Sequence, residues 1–292
     1  MLRDHLLLHA IVAAWGFTAI LGKGIELPTP VLVAWRTGLA IVGVLCLRLG
    51  LKRKLWPGGR EALVMMAVGA CIGLHWHLFF LSGKLGSVSV GLVGVSTCSL
   101  WCALLEPVFI PGKRLGMLEC GVAALVVAGV VVIAVGEPVS LPSLLAGVAS
   151  AVVAAVFSYC NGRLILRQEH QVITLYEMAG ACVVMSLAGL LGNSARWLPD
   201  GREWLLLLVL SQVCTVWAYA AYVELLRRLS VFTISLASNL EPLYGILLAG
   251  LVFGEYQKLG AAFWTGSILV LAGVIGYPLL NRRRRFCRGI SC

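Results

Sequence analysis

Long apolar segments alternate with short polar segments along the whole chain, and this pattern predicts a membrane protein. A helix rises about 1.5 Å per residue, so roughly 20 mostly apolar residues are needed to cross a hydrocarbon core of about 30 Å. Ten segments of the 292-residue chain come close to this length, and we predict an all-α membrane protein with ten transmembrane helices. The predicted spans are Leu6–Leu21, Val31–Leu49, Ala62–Phe80, Val88–Phe109, Leu115–Val135, Leu144–Asn161, Ile173–Leu191, Trp204–Tyr222, Val231–Phe253 and Leu259–Leu280.

The basic residues fall in every second connection between these segments. Lys and Arg accumulate on the cytoplasmic side of membrane proteins, so their distribution predicts the orientation. With both termini in the cytoplasm, only five basic residues of the connections lie outside: Lys23, Lys84, Arg196, Arg202 and Lys258. Arg36 lies within the second span, and the other seventeen of the 23 basic residues lie inside. We therefore predict that both termini are cytoplasmic.

Composition excludes several other classes of protein. The chain is 60% hydrophobic and 12% charged, whereas soluble domains are about 25% charged. The net charge of +10 is explained by the orientation signal, and the Arg282–Arg285 run by anchoring at an anionic leaflet rather than by nucleic-acid binding. The ten cysteines show no metal-ligand spacing, so we expect neither a metal site nor a cofactor.

The two halves of the chain resemble each other at an offset of 144 residues. Leu125–Val130 aligns with Leu269–Val274 without a gap, and Val108–Phe109 aligns with Val252–Phe253. Five spans is an odd number, so two such halves enter the membrane in opposite orientations, as an inverted repeat. Inverted repeats recur in secondary transporters, where two similar bundles alternate around a central site.

The stretch Asn239–Glu255, which begins Asn-Leu-Glu-Pro and ends Gly-Glu, resembles the second-repeat signature of the EamA family in the drug/metabolite transporter superfamily. Trp15–Thr18 resembles the opening span of the same family. The resemblance implies two EamA-like five-helix repeats, over residues 1–137 and 138–281, with a basic cytoplasmic tail over 282–292. It also implies a central cavity and, commonly, export. In the first half, Thr97-Cys98 stands where the second has Glu241-Pro242.

Charged residues inside spans are the first site candidates, because a charge at a helix centre costs roughly 2.5–3.5 kcal/mol. Glu241 could bind a coupling proton or ion beside the kink that Pro242 favours, or it could pair with another span as a structural contact. Arg36 could hold an anionic solute through its fork of donors. It could equally reach the outer interface or neutralise Glu177, and the ion pair with Glu177 is the favoured interpretation.

His75 is a second candidate for proton coupling, because imidazole titrates near pH 6.5. A hydrogen-bonded interfacial histidine is the simpler interpretation. Residues two apart on a helix point to different sides, so His75 and His77 should not share one pocket.

Polar and aromatic side chains in other spans are candidates for contacts with an organic solute. Thr215, Tyr219 and Tyr222 follow one helical stripe, although Tyr222 could instead belong to an aromatic belt at the membrane surface. Serine more often permits close helix packing than it contacts a ligand. The remaining candidate residues are Trp15, Thr18, Ser96, Ser99, Trp101, Tyr159 and Asn239.

The sequence thus predicts a secondary transporter of a small organic metabolite, an amino acid or a related amphipathic solute, in the cell membrane. No motif of an ATP-driven pump or a zinc protease is present, so an enzyme is not expected. Two alternatives remain at this point. The first is an intramembrane enzyme or lipid-handling protein that uses Glu241, His75 and Arg36, and the second is a receptor that binds a solute without transporting it.

Overall fold

A computed structural model describes residues 2–86, 88–135, 140–245 and 260–289, and all the regular secondary structure in these ranges is helical. Residues 241–245 are also helical at the end of the third range. The helices are α1 Leu2–Lys23, α2 Thr29–Gly50, α3 Gly59–Leu85, α4 Val88–Ser96, α5 Cys98–Phe109, α6 Met117–Ile133, α7 Leu141–Leu164, α8 His170–Leu191, α9 Gly201–Ser211, a π-helix Gln212–Trp217, α10 Ala218–Leu225, α11 Val231–Ser238 and α12 Ala261–Gly289.

Eight helical segments of the described residues are long and apolar enough to cross a membrane. They correspond to eight of the ten predicted spans, with α4 and α5 together forming one and α9 to α10 another. The predicted fifth span appears as α6, which has only 17 residues. The predicted ninth span begins as α11, but residues 246–253 lie outside the described residues. Helix α12 continues to Gly289, so the first part of the predicted basic tail is helical.

Local sequence signals explain where several helices begin. Asp200 and Glu203 form a capping box at α9, in which each side chain accepts a hydrogen bond from the other residue's backbone N–H. The Ser230 side chain accepts from the Thr233 backbone at the start of α11. Ser140 does the same for α7, which also has a proline in its first turn, where no backbone donor is needed.

Ion pairs join helix ends on one side of the bundle. Asp4, in the first turn of α1, pairs with Arg228 just after α10 at 2.9 Å. Arg48, at the end of α2, pairs with Glu169 just before α8 at 2.8 Å. His170 Nδ1 at the start of α8 lies 3.3 Å from the Glu224 carboxylate at the end of α10, so all four helix ends lie on the same side.

The opposite side is joined in the same manner. The backbone of Glu26, between α1 and α2, donates to Glu203 at the start of α9 at 2.8 Å. Arg196 binds both carboxylate oxygens of Glu203. The Ser140 hydroxyl, before α7, donates to the Leu85 carbonyl at the end of α3 at 2.9 Å. These contacts show that α1 and α2 cross the bundle in opposite directions.

Helices α3 and α8 approach each other at two glycines. A methyl group on Gly69 would overlap the Glu177 carbonyl oxygen, and one on Gly180 would overlap the Met66 carbonyl oxygen. Helices in lipid gain no hydrophobic energy from meeting each other, so small residues that allow close backbone contact take that role. The α3–α8 contact is therefore a main packing contact of the bundle.

We expect Gly180→Ala to destabilise the protein by about 1–3 kcal/mol, because the added methyl group forces α8 away from α3. Gly121 in α6 has open space at the same position, so Gly121→Ala is a matched control that should be neutral or slightly stabilising. Thermal unfolding midpoints in detergent measure both effects. Equal midpoints for the two variants would contradict the packing argument.

Arg48 and Glu169 also predict a dependence of stability on pH. The Arg48 guanidinium donates to Glu169 and holds the pKa of that carboxyl below its ordinary value. A lowered pKa in the folded state stabilises the protein above the unfolded pKa of about 4.3, and this contribution disappears as the pH falls through the folded pKa.

Glu169→Gln should therefore lower the unfolding midpoint by about 1–2 °C at pH 7, a small effect because the Glu169 side chain is 56% exposed. The difference from the wild type should shrink as the pH falls below about 4.3 and should vanish once the pH is below the folded pKa of Glu169. Glu61→Gln, on the same side of the bundle, serves as the control. A difference that persists unchanged at low pH would argue against the ion pair as its cause.

Candidate functional site

Two helices are interrupted near the middle of the bundle. Between α4 and α5, the Thr97 N–H bonds to the carbonyl of the third residue before it, at 3.2 Å, instead of the fourth. The Leu240 N–H, after the end of α11, makes the same type of bond at 3.0 Å. The Asn239 side chain connects the two interruptions, because its amide donates to Ser99 Oγ at 3.0 Å. Interrupted helices free backbone polar groups and often line the solute sites of transporters.

A cavity lies beside these interruptions, with about 940 Å³ of space between atoms, part of which is open to the surroundings. Its wall is mainly apolar and aromatic, and its charged residues are Arg36 and Glu241. Eight of the described helices, namely α1 to α5, α7, α10 and α11, and the segment 239–242 contribute to the wall. The lining residues are Trp15, Thr18, Arg36, His75, Trp76, Phe79, Leu92, Val95, Ser96, Cys98, Ala154, Phe157, Ser158, Tyr219, Tyr222, Val231, Ile234, Ser235, Ser238, Asn239, Glu241 and Pro242.

The two sequence motifs that resemble the EamA family meet at this cavity. Gly16 faces the Glu241 carbonyl oxygen and the Gly245 backbone nitrogen, each 3.0 Å from where a methyl group would stand. Because Gly16 has no side chain, α1 can lie directly against the segment that carries Glu241. This contact places Trp15, Thr18 and Glu241 in one wall.

Arg36 is buried and its guanidinium reaches the cavity. The Nε atom donates to Thr215 Oγ1 at 2.9 Å, and the guanidinium carbon lies 3.7 Å from the centre of the Trp76 ring. The Nη1 atom is buried and has no hydrogen-bond partner among the described residues. A stacked guanidinium with a free donor is suited to binding an anionic group.

A π-helix positions the hydroxyl group that Arg36 binds. In the turn Gln212–Trp217, Thr215 Oγ1 donates to the Leu210 carbonyl, five residues earlier, at 3.0 Å. The Trp15 indole N–H donates to the Cys214 carbonyl at 3.1 Å. The wider turn breaks the α spacing on which the predicted Thr215–Tyr219–Tyr222 stripe depends. Thr215 consequently lies behind Arg36, while Tyr219 and Tyr222 line the cavity.

The predicted ion pair between Arg36 and Glu177 is wrong. Glu177 is buried in α8 and accepts a hydrogen bond from the Tyr219 hydroxyl at 2.9 Å. That hydroxyl in turn accepts one from the Asn161 amide at 2.7 Å. Arg36 instead turns toward Thr215 and the face of Trp76, and its Nη1 atom stays without a partner among the described residues.

The two histidines of α3 point to different surroundings, as their spacing predicts. His75 lines the cavity, and its Nδ1 lies 2.7 Å from Ser150 Oγ. His77 Nδ1 lies 2.8 Å from Thr29 Oγ1, near the end of α3. His75 is thus both a cavity residue and a hydrogen-bonded histidine, and the two interpretations from the sequence coincide.

Three further candidate residues do not line the cavity, and a fourth, Tyr222, is buried rather than at the membrane surface. Ser99 holds Asn239, and Tyr159 donates to the Cys102 carbonyl at 2.6 Å, so neither lines the cavity. Trp101 does not line it either. Tyr222 is buried and donates to Ser158 Oγ at 2.8 Å, so its assignment to an aromatic belt is wrong.

Sequence reasoning missed three important aromatic or polar lining residues. Trp76 lies between the two histidines in the sequence. Its contact with the Arg36 guanidinium could have been predicted only by knowing that α2 packs beside α3. Phe157 and Ser158 belong to α7, whose sequence contains no charged residue before Arg163 to draw attention to it. Their contribution follows from the fold alone.

A second cavity, of about 890 Å³, lies toward the side of the bundle where α1 and α3 end. Lys23 and Lys84 are part of its wall. It shares Phe79 and Leu92 with the central cavity. These two side chains therefore form the partition between a basic vestibule and the central cavity.

The fold is shared with a protein chain of a solved crystal structure. The two chains superimpose with a TM-score of 0.80 at 21% sequence identity, over 96% of this chain and 98% of the other. No curated protein matches the sequence. The sequence profile of the EamA-like transporter family matches residues 141–277, which confirms the resemblance inferred from the sequence. Residues 141–277 of this chain are thus similar to the EamA-like transporter family.

Proposed function

We propose that this protein is a secondary transporter of a small amphipathic organic solute, an amino acid or a close relative, which it exports across the cell membrane. The observation that supports this best is the unpartnered Arg36 Nη1 in a cavity that also contains Glu241 and several aromatic rings. An α-carboxylate suits Arg36, and an ammonium group suits Glu241. An apolar side chain suits the rings of Trp15, Trp76 and Phe157.

The proposed mechanism is alternating access between two inverted five-helix halves, with both termini in the cytoplasm. The interruptions at Thr97 and at 239–240 support it, because they lie close to the repeat offset of 144 residues. The asymmetry of basic residues supports the orientation. In this arrangement the vestibule beside Lys23 and Lys84 opens to the outside, and Phe79 and Leu92 separate it from the solute site.

The alternative function is an enzyme with its active site in this cavity, because Arg36, His75 and Glu241 all line it. His75 Nδ1 is engaged by Ser150, and the described residues of the cavity lining include no activated nucleophile with a paired base. Transport without covalent change of the solute distinguishes a carrier from an enzyme. Counterflow distinguishes a carrier from a receptor that only binds.

We expect Arg36→Gln to reduce counterflow of radiolabelled L-phenylalanine in proteoliposomes by about tenfold or more. The variant loses a charged donor, and hydrogen bonds to charged groups contribute about 1.5–3 kcal/mol. Arg202→Gln, at an exposed position, is the control for the loss of one positive charge. Counterflow that Arg36→Gln leaves intact would remove Arg36 from the solute site.

We propose that Glu241 binds the coupling proton, because it is the carboxyl that faces the cavity. Glu241→Gln should abolish accumulation of L-phenylalanine driven by a pH gradient while it preserves exchange, since exchange needs no net protonation cycle. Initial rates of both processes in the same vesicles measure the difference. If the variant accumulates solute normally, Glu241 has a structural role and His75 becomes the coupling candidate.

A further inference from the structure

A buried acid lies directly behind the cavity wall, and the proposed transport cycle does not use it. Glu177 has no exposed surface, and it is connected to the cavity through Tyr219. Tyr219 is a lining residue, whereas Glu177 and Asn161 are not. Glu177 is therefore one side chain away from any solute in the cavity and cannot touch it directly.

The group formed by Glu177, Tyr219 and Asn161 has more acceptors than donors. Glu177 Oε1 and Asn161 Oδ1 are both buried and have no hydrogen-bond partner among the described residues. The Asn161 side chain also interacts with the Glu177 carboxyl. An ionised carboxyl only accepts hydrogen bonds, whereas a protonated one has an O–H donor. One proton on Glu177 supplies the donor that this group lacks.

Among the described residues, no cation is paired with Glu177. From α10 it is faced by Tyr219 and Tyr222, and from α7 by Cys160. Cys71 of α3 and Arg163 of α7 lie near Cys160, and the Arg163 guanidinium donates to the Phe109 carbonyl. Phenols and thiols are neutral in the ordinary physiological range. Helix α2 contributes Arg36, whose Nε is committed to Thr215.

We propose that Glu177 is a proton-binding site and that Tyr219 transmits its protonation state to the solute cavity. A carboxylate accepts a stronger hydrogen bond than a neutral acid does, so the Tyr219 side chain is held more firmly when Glu177 is ionised. A proton at Glu177 does not compete with the solute, whereas one at Glu241 does, because Glu241 faces the solute directly. The effect on solute affinity rests on the proposed function, but proton binding does not.

The first test needs no solute. Infrared difference spectra of the purified protein over a pH titration should show the carbonyl band of a protonated carboxylic acid that Glu177→Gln removes and Glu241→Gln retains. Tyr219→Phe should shift the band, because the carboxyl loses its hydrogen-bond donor. If neither Glu177→Gln nor Tyr219→Phe alters the spectrum, the proposal is overturned.

The second test measures binding of radiolabelled L-phenylalanine as a function of pH. The wild-type affinity should change by about fivefold or more over the titration of Glu177, at the low end of ordinary coupling between sites. Glu177→Gln and Tyr219→Phe should both lose this dependence. Tyr222→Phe is the matched control, because it removes a cavity hydroxyl that donates to Ser158 instead of Glu177, and it should keep the dependence.

The outcomes separate the two proposals. If wild-type protein fails to bind L-phenylalanine while the infrared band behaves as expected, the proposed solute is wrong and the proton site stands. If L-phenylalanine binds and both Glu177→Gln and Tyr219→Phe keep the wild-type pH dependence, the link through Tyr219 is refuted. A pH dependence lost equally in Tyr222→Phe would also refute it.

Discussion

The close contact between α3 and α8 determines the geometry of the central cavity. Gly69 and Gly180 allow each helix backbone to touch the other, and this contact fixes the separation of the two helices. Trp76 lies two turns beyond Gly69 on α3, and Glu177 lies one turn before Gly180 on α8. The contact therefore sets both the aromatic face beneath Arg36 and the position of the acid behind Tyr219. In lipid, where apolar surface gives no preference for helix over acyl chain, such backbone contacts define the structure.

Arg36 and Glu177 each bind neutral partners rather than each other. Arg36 receives a hydroxyl acceptor and an aromatic face, and the Glu177 carboxyl receives a phenolic donor. An ion pair between them would have consumed the donors of Arg36 and closed that part of the cavity. Because the two are kept apart, the guanidinium retains a free donor at the cavity, and the carboxyl stays behind the cavity wall.

Much of the fold could be predicted from hydrophobic patterning, because the bilayer imposes a minimum length on each apolar segment. The candidate charged residues could also be found, since charge inside a span is rare enough to stand out. The partner of Arg36 could not be predicted, because it depends on a π-helix that Gln212–Trp217 does not signal in its sequence. The same turn explains why Thr215 left the predicted stripe while Tyr219 and Tyr222 remained in it.

The π-helix makes the two halves of the chain unequal. At the repeat offset of 144 residues, Gln212–Trp217 corresponds to residues 68–73, which form ordinary α-helix within α3. In a carrier whose halves exchange conformations, identical halves would give inward-facing and outward-facing states of equal energy. A wide turn in one half removes that degeneracy. Under the proposed alternating-access mechanism, the empty protein would then rest with a preferred side open, and the solute concentration on the other side would have to overcome this bias before each cycle.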